Sequence, residues 1–296
     1  MPTFLITSAT GRQGGSTARL LLAQGAKVHA LVRDTTSLAS LALQSLGATL
    51  FKGDFEDVPG ITRCKALADV TTETRAAENF VAAARAAGTV TSFIVSTVYG
   101  ANRHADWSVI KSEFPIVAQF FESKADVERV IRASGFTYTI LRPGWLMHNY
   151  IGPASAYLFP EYVSARVLSV SNPRAYRMGH LDAADVGQFA AAALLDPARF
   201  AGEELELTNE RLTFDEVAAH LSTALGAEVT VKYRTDEETA AARKAFPPLE
   251  THIRGLTVED IVDDTKLAQY GFHLTTFKEF LEREKSAVRK TVGIEA

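Results

Sequence analysis

Cysteine is almost absent from this chain of 296 residues, since Cys64 is the only one. A single cysteine excludes a disulfide within the chain and favours a reducing compartment. No apolar run reaches the length that a transmembrane helix needs. A predicted strand begins within the first four residues, which leaves no room for a signal peptide. We therefore expect a soluble, cytoplasmic protein with no membrane partner.

An excess of basic residues is also lacking, because 31 Lys and Arg are outnumbered by 35 Asp and Glu. A protein whose main partner is nucleic acid needs a basic track for the phosphates, so no direct binding to nucleic acid is expected. The seven histidines show no spacing typical of metal ligands, and we predict no metal site. A hydrophobic content of 47% instead fits a globular protein with a large core.

The first segment with a chemical signature is a small-residue turn, Ser8 to Gly14, between an apolar run and an amphipathic helix. At such a turn, backbone N–H groups and the helix dipole attract an anion, and glycines let a phosphate approach. Ser8 stands where the first glycine usually stands, so we expect it to keep a negative φ. The alternative is an ordinary turn between a strand and a helix.

Strand-like and helix-like segments alternate over the first 150 residues, which predicts a parallel, doubly wound sheet. Strands are predicted at 27–33, 48–54, 63–70, 90–98 and 136–141, and helices at 37–46, 72–87 and 115–134. The pattern loosens after residue 150. There the predicted elements are helices at 181–195 and 213–225, strands at 204–208 and 228–233, and a last helix opened by the capping box Thr276-x-x-Glu279.

The fold class is therefore predicted as α/β, with a nucleotide-binding domain at 1–150 and a smaller, mostly substrate-binding α/β lobe at 151–296. The sheet of the first domain is expected to take the strand at 204–208 as well.

Arg33 lies at the end of the second predicted strand, about twenty residues after the glycine turn. An acid at the end of that strand would accept hydrogen bonds from the adenosine ribose and favour NAD, whereas a guanidinium matches a 2′-phosphate. Arg12, within the turn, can join it. Either arginine has a simpler alternative as a solvated loop charge. Together they predict NADP(H) as the cofactor.

Seven short runs follow one another along the chain: Thr7–Gly14, Leu31–Arg33, Gly53–Phe55, Ser96–Val98, Ser123–Lys124, Tyr138–Gly144 and His180–Gly187. In this order they resemble the NmrA-like family of atypical short-chain dehydrogenases/reductases. The resemblance covers nearly the whole chain and implies a Rossmann-like NADP(H) domain with a small C-terminal lobe. The cofactor contacts that it implies are the pyrophosphate on Thr10, Gly11, Arg12, Gln13 and Gly14, the 2′-phosphate on Arg33, the adenine on Asp54 and Phe55, and the nicotinamide and its ribose on Lys124 and Pro143.

One departure from that family concerns the catalytic pair. Better-known members have Tyr-x-x-x-Lys, whereas this chain has Phe120 four residues before Lys124, and phenylalanine transfers no proton. The chain also resembles NADPH-dependent quinone and triphenylmethane dye reductases, which likewise lack that tyrosine and whose acceptors take hydride without prior protonation. Ser96 and Tyr99 are alternative proton donors. The simpler alternative is that Ser96 caps a loop and Tyr99 packs at the edge of the core. With Lys124 they are the catalytic candidates.

Apolar side chains predict the substrate site. Trp145, Met147 and Asn149 follow the strand at 136–141, and Trp107, Phe120 and Phe121 are expected to join them in an aromatic pocket. Core packing is the alternative for each of these residues. The pocket predicts a small hydrophobic or aromatic substrate.

Three classes of function remain open at this point. The first is an NADPH-dependent oxidoreductase that delivers hydride to such a substrate. The second is a redox-neutral enzyme, for an isomerisation or condensation, that keeps NADP(H) as a structural cofactor. The third is an NADP(H)-sensing regulator without turnover, which would act through a regulatory protein partner.

Overall fold

The computed structural model describes residues 2–53, 71–103, 111–112, 114–245 and 262–294. In these ranges no helix is both long and apolar enough to cross a membrane. The elements in chain order are β1 (Thr3–Ile6), α1 (Arg12–Ala23), β2 (Lys27–Val32), α2 (Leu38–Ser45), β3 (Thr49–Lys52), α3 (Thr71–Ala87), β4 (Ser92–Ser96), α4 (Pro115–Arg132), β5 (Thr137–Pro143), β6 (Trp145–Leu146), a 3₁₀ turn (Met147–Tyr150), α5 (Ala154–Leu158), α6 (Pro160–Ala165), β7 (Val167–Val170), β8 (Met178–Leu181), α7 (Ala183–Leu195), β9 (Glu204–Leu207), β10 (Glu210–Leu212), α8 (Phe214–Leu225), β11 (Thr230–Tyr233), α9 (Asp236–Ala245), α10 (Asp264–Ala268), α11 (Phe277–Arg283) and α12 (Lys285–Thr291).

The chain divides into two compact units, and each is assembled from separate stretches. Unit 1 consists of Met1–Asn102, Phe120–Arg142 and Ala183–Leu205; unit 2 consists of Arg103–Gln119, Pro143–Asp182 and Glu206–Ala296. This division differs from the predicted boundary at residue 150. The chain returns to unit 1 after residue 182 because α7 packs on α1 and β9 lies beside β5.

The described residues of unit 1 form two three-stranded sheets. In the first, β1, β2 and β3 are parallel, with Ile6 beside Ala30 and Val32 beside Lys52. In the second, β4 and β5 are parallel, and β9 lies on the other side of β5. Because parallel strands end at the same edge of a sheet, the residues that follow β1, β2 and β3 all lie at one edge. The predicted strand at 63–70 lies outside the described residues.

A buried ionic cluster joins α4, β5 and β9 with Thr97, the residue that follows β4. The side chains of Glu128 on α4 and Arg142 on β5 are 0% and 2% exposed, and Arg142 donates to both carboxylate oxygens of Glu128, at 2.8 and 2.7 Å. Arg132 donates to Glu128 at 2.8 Å, and the Thr97 hydroxyl donates to it at 2.7 Å. Glu204 on β9 accepts from both arginines. These hydrogen bonds to Arg132 and Arg142 hold the pKa of Glu204 below its usual value.

Unit 2 contains a three-stranded sheet, in which β8 lies between antiparallel β10 and parallel β6, and a parallel pair, β7 and β11. Its core is rich in aromatic side chains, and Tyr150 stacks on Phe159 at a centroid distance of 5.4 Å. The sequence pattern did not predict β7 and β8, which lie where glycines and prolines interrupt the pattern after residue 150. Pairing with distant strands, rather than local alternation, defines them.

Helices α8 and α11 of unit 2 begin with capping boxes, and the sequence predicts the one at α11. The Thr276 side chain accepts the N–H of Glu279 while the Glu279 carboxylate accepts the N–H of Thr276, so the predicted capping box is confirmed. Thr213 and Glu216 form a second capping box at the start of α8, and Gly226 ends that helix with a φ of 67°. Each pair satisfies N–H groups that the first turn of a helix leaves open.

His180, on β8, is a fully buried imidazole in this core. Its Nδ1 lies 2.8 Å from the carbonyl oxygen of Met178, which only accepts hydrogen bonds, so Nδ1 carries the proton. Nε2 therefore accepts from the Tyr150 hydroxyl, 3.0 Å away. Burial lowers the pKa of His180 to about 4 and keeps the ring neutral.

The neutral state of His180 predicts acid sensitivity. Below about pH 6.5 the unfolded chain protonates this imidazole, whereas the folded chain does so only near pH 4, so the folded state loses stability as the pH falls through this window. The loss attributable to this ring is about 3 kcal/mol at its full extent. Urea denaturation at several pH values should show a shallower decline for His180→Gln than for the wild type. His273→Gln is the control, because the His273 side chain is 79% exposed; an equal change in both variants would contradict the assignment.

Candidate functional site

The turn after β1 leads directly into α1 and has an open helix N-terminus. Gly11 is the N-cap and has no side chain to cap α1, and the first turn contains no acidic residue. By contrast, a Ser, Thr or Asp side chain accepts a backbone N–H at the start of five other described helices, at Ser37, Thr213, Thr235, Asp263 and Thr276. No side chain caps the start of α1, so its first N–H groups and its positive dipole end are available to an external anion.

Two glycines of the turn differ in how closely they are packed. A Cβ on Gly14 would lie 2.6 Å from the Ser8 carbonyl oxygen and 2.7 Å from that of Thr7. A Cβ on Gly11 would meet the Ser8 oxygen at 3.1 Å. Gly14 thus lets α1 cross close to the end of β1, and Gly11 is the glycine at the open end of the helix. The geometry fits a phosphate cradle of the kind that the sequence predicts.

Ser8 adopts a φ of 47°, so the expectation of a negative φ at this position is wrong. Its carbonyl oxygen accepts the N–H of Gly11 at 2.8 Å, which closes the turn. A residue with a Cβ is strained in this left-handed region, and glycine is not. The closure of the turn, rather than the preference of serine, sets this conformation.

Ser8→Gly is therefore expected to raise the free energy of unfolding by about 0.5–1 kcal/mol, because relief of the Cβ strain exceeds the added entropy of the unfolded chain. Ser8→Ala is the matched control, since it removes the hydroxyl and keeps the Cβ. Urea denaturation of both variants measures the difference. A gain in Ser8→Ala as large as that in Ser8→Gly would show that backbone strain is not the cause.

Helix α7 holds the first turn of α1 in place. A Cβ on Gly187 would lie 2.5 Å from Ser16 Cβ and 2.9 Å from the backbone nitrogen of Thr17, so only glycine permits this crossing. The Ser16 hydroxyl also donates to the carbonyl oxygen of Ala184 at 3.2 Å. The sequence contained a signal for this contact, because glycine is unfavourable inside a helix unless close packing requires it.

Arg33 is exposed at the edge where β1, β2 and β3 end. Asp34, the next residue, accepts from the N–H and hydroxyl of Thr36 at 2.8 and 2.7 Å. The same hydrogen bonds, with Lys52, hold the pKa of Asp34 below its usual value. Asp34 is therefore engaged in the turn before α2. Lys52, which ends β3 beside Val32, is a second cation at this edge that the sequence analysis did not single out.

Lys124 lies on α4, one turn before Glu128, and its side chain is 18% exposed. Its ammonium lies 2.6 Å from Glu73 on α3 and 5.2 Å from the centre of the Phe120 ring. The Ser123 hydroxyl is 2.8 Å from the carbonyl oxygen of Phe120 and 3.4 Å from the Glu73 carboxylate. Sequence reasoning missed Glu73, since nothing in its neighbourhood distinguishes it from other acids on exposed helices.

The predicted substrate residues fall into two groups, one in each unit. Phe120 and Phe121 in unit 1 meet edge to face at 5.3 Å, and both are half-buried. In unit 2, Trp145 meets Phe159 at 6.0 Å and is half-buried, as is Asn149, while Met147 is fully buried in the core. Trp107 lies outside the described residues.

The remaining candidates lie around the ends of β4 and β5. Ser96 is exposed, Tyr99 is half-buried and Pro143 is buried. Asp54 and Phe55, predicted to contact adenine, lie outside the described residues. Across the part of the chain that is described, no group of three or more His, Cys, Asp or Glu side chains has a geometry that could hold a metal ion.

Close packing requires a glycine at position 144, directly after β5 and at the end of the run Tyr138–Gly144. Its Cβ would lie 2.7 Å from Thr208 Cγ2 and 2.8 Å from the carbonyl oxygen of Gly179, and its N–H donates to Leu207 at 2.8 Å. The glycine permits close packing of strands in unit 2. This part of the run is structural.

Comparison with known proteins matches this geometry to one family. The model of the NmrA-like family matches residues 2–253. Quinone oxidoreductase 2 of Escherichia coli (strain K12) is 27% identical over 255 residues, which are 81% of this chain and 80% of that protein.

Solved structures show the same fold. NmrA, a negative transcriptional regulator, in complex with NADP has a TM-score of 0.72 at 20% identity, over 99% of this chain and 98% of that chain. The NADPH complex of the quinone oxidoreductase QOR2 from Escherichia coli has a TM-score of 0.67 at 22% identity, over 95% and 99% of the two chains. The predicted Rossmann-like α/β fold is confirmed, and because the family model covers most of the sequence, this chain belongs to the NmrA-like family.

Proposed function

We propose that this protein binds NADP(H) on unit 1 and is an oxidoreductase that reduces a small hydrophobic or aromatic acceptor. The observation that carries the proposal is the open N-terminus of α1 behind a glycine turn, at the same sheet edge as Arg33 and Lys52. A pyrophosphate matches the open N–H groups, and a 2′-phosphate matches the two cations. A quinone oxidoreductase among the relatives supports the reductase activity.

Each candidate residue has a role in this proposal. Residues 10–14 hold the pyrophosphate, Arg33 holds the 2′-phosphate, and Asp54 and Phe55 contact the adenine. Lys124 donates to the hydroxyls of the nicotinamide ribose. Bound NADPH supplies the hydride. Phe120 and Phe121 of unit 1 are proposed as substrate contacts.

Phe120 decides which acceptors are suitable. Its ring lies under the Lys124 ammonium at 5.2 Å, where a tyrosine would supply a proton, and it has no acidic group. Ketones and aldehydes need a proton on oxygen as hydride arrives, whereas quinones accept hydride without a tuned acid. Quinones are therefore the acceptor class that we propose, with Ser96 and Tyr99 as proton donors of secondary importance.

Consumption of NADPH tests the enzyme class. The purified protein is mixed with NADPH and with quinones, aldehydes or ketones, and the absorbance of reduced nicotinamide is followed. We expect loss of absorbance with quinones and none with the carbonyl compounds. Product without NADPH consumption would replace the proposal with a redox-neutral enzyme. Tight binding with no reaction in the whole panel would replace it with a regulator.

Cofactor choice is tested by Arg33→Ala. We expect the affinity for NADPH to fall about ten- to a hundredfold, because a charge-assisted contact to phosphate is lost, while the affinity for NADH stays unchanged. Lys27→Ala is the matched control, because Lys27 is an exposed cation at the opposite end of the same strand. Calorimetry that shows equal affinities of the wild type for NADPH and NADH would contradict the proposed selectivity.

A further inference from the structure

We propose that Glu73 is the positioning residue for Lys124: it holds the ammonium in the orientation that receives the nicotinamide ribose. The proposal rests on the proposed role of Lys124 as the ribose ligand. Glu73 lies 51 positions before Lys124 in the chain, and the two charged groups are 2.6 Å apart. Both residues belong to unit 1.

The ammonium of Lys124 needs a directional partner because Phe120 supplies none. The ring face attracts a cation at 5.2 Å, but this attraction does not fix where the three N–H bonds point. A lysine stem also has several freely rotating bonds, so an unheld ammonium samples many positions. A charge-assisted hydrogen bond to Glu73 uses one N–H and leaves two, which matches the two hydroxyl groups of a ribose.

Glu73 is itself held in place. It lies in the first turn of α3, where the positive end of the helix dipole favours a carboxylate. The buried Ser123 hydroxyl donates to the Phe120 carbonyl oxygen at 2.8 Å and lies 3.4 Å from the second carboxylate oxygen of Glu73, so its contact with Glu73 is the weaker of the two. The helix dipole and the Lys124 ammonium, rather than Ser123, therefore keep the carboxylate beside α4.

A purely structural ion pair is a poorer explanation of this contact. The Glu73 side chain is 47% exposed, and pairs as exposed as this contribute little to folding stability. Loss of the carboxylate should therefore change ribose binding and leave the stability of the fold nearly unchanged. This combination separates a positioning residue from a structural one.

The test is a double-mutant cycle with Glu73→Gln, Lys124→Ala and the double variant, each titrated with NADPH and with adenosine 2′,5′-bisphosphate. The bisphosphate has no nicotinamide ribose, so it reports damage to the rest of the site. We expect NADPH affinity to fall about ten- to a hundredfold in Lys124→Ala and about five- to tenfold in Glu73→Gln. The double variant should match Lys124→Ala, and the bisphosphate should bind all variants equally. Glu78→Gln, an exposed acid on the same helix, should bind NADPH as the wild type does.

The outcomes that overturn the proposal are distinct. If Lys124→Ala binds NADPH normally, the ribose role of Lys124 fails, and the positioning role of Glu73 fails with it. If Lys124→Ala weakens binding but Glu73→Gln does not, or if the two losses add fully, only the role of Glu73 is refuted. Tighter binding by Glu73→Gln would mean that Glu73 competes with the ribose, which also refutes it.

Discussion

Replacing Gly14 with alanine is expected to lower the affinity for NADPH at least about 100-fold, because several charge-assisted hydrogen bonds depend on the turn. The new Cβ would lie 2.6 Å from the Ser8 carbonyl oxygen and 2.7 Å from that of Thr7. Both oxygens belong to the backbone, so no side-chain rotation relieves the contact and α1 must shift. We also expect a loss of about 1–3 kcal/mol in the free energy of unfolding from overpacking. Calorimetry measures the affinity, and urea denaturation measures the stability.

Gly11→Ala is the matched control in the same turn. Its φ of −81° and ψ of 178° suit alanine, and its added Cβ would lie 3.1 Å from the Ser8 oxygen, a tight contact that a smaller shift relieves than at Gly14. We expect a free energy of unfolding within about 1 kcal/mol of the wild type. If Gly14→Ala binds NADPH as tightly as the wild type, the turn does not hold the phosphates.

Glu128→Ala is expected to lower the free energy of unfolding by about 3–5 kcal/mol, the range for removal of one partner from a buried ion pair. The Glu128 side chain is 0% exposed and accepts from Arg142, Arg132 and Thr97. Without it, the buried guanidinium of Arg142 loses the carboxylate that accepts two of its hydrogen bonds, so part of its charge is no longer compensated. The midpoint of urea denaturation should fall with little change in its slope.

Asp126→Ala, on the same helix, provides the comparison. Asp126 pairs with Arg129 at 2.6 Å, but the two side chains are 43% and 69% exposed. An exposed pair contributes about 0–1 kcal/mol, so this variant should be nearly as stable as the wild type. Equal losses in the two variants would mean that burial of the cluster does not determine its contribution.

Local signals in the sequence predicted much of the fold. The helix predicted at 37–46 is α2, Leu38–Ser45, and the Ser37 side chain caps it by accepting the N–H of Ser40. The last capping box, at Thr276, was predicted from two residues three positions apart. Such features depend on neighbours within one turn, so the order of residues is sufficient to find them.

Features that depend on distant parts of the chain were predicted incompletely. The run at 138–144 was noticed for its resemblance to a family, but its Arg142 has partners on α4 and β9, at Glu128 and Glu204. A charged residue at the end of an apolar strand indicates that it has a buried partner, but the sequence does not identify that partner. Glu73 gave no such signal. These partners are separated by tens of residues, and without a known topology their proximity does not follow from spacing.

The sequence by itself determined the glycine turn before a helix, the cation Arg33 after β2, the phenylalanine at position 120 in place of a tyrosine, and the membership of the family. All of these are properties of residue type at short spacing. Three features were decided only by the tertiary structure: the left-handed conformation of Ser8, the partner of Lys124, and the close packing of α7 on α1 where Gly187 meets Ser16. The first results from closure of the turn, and the other two result from contacts between segments far apart in the chain. In all three, packing rather than local preference selects the conformation.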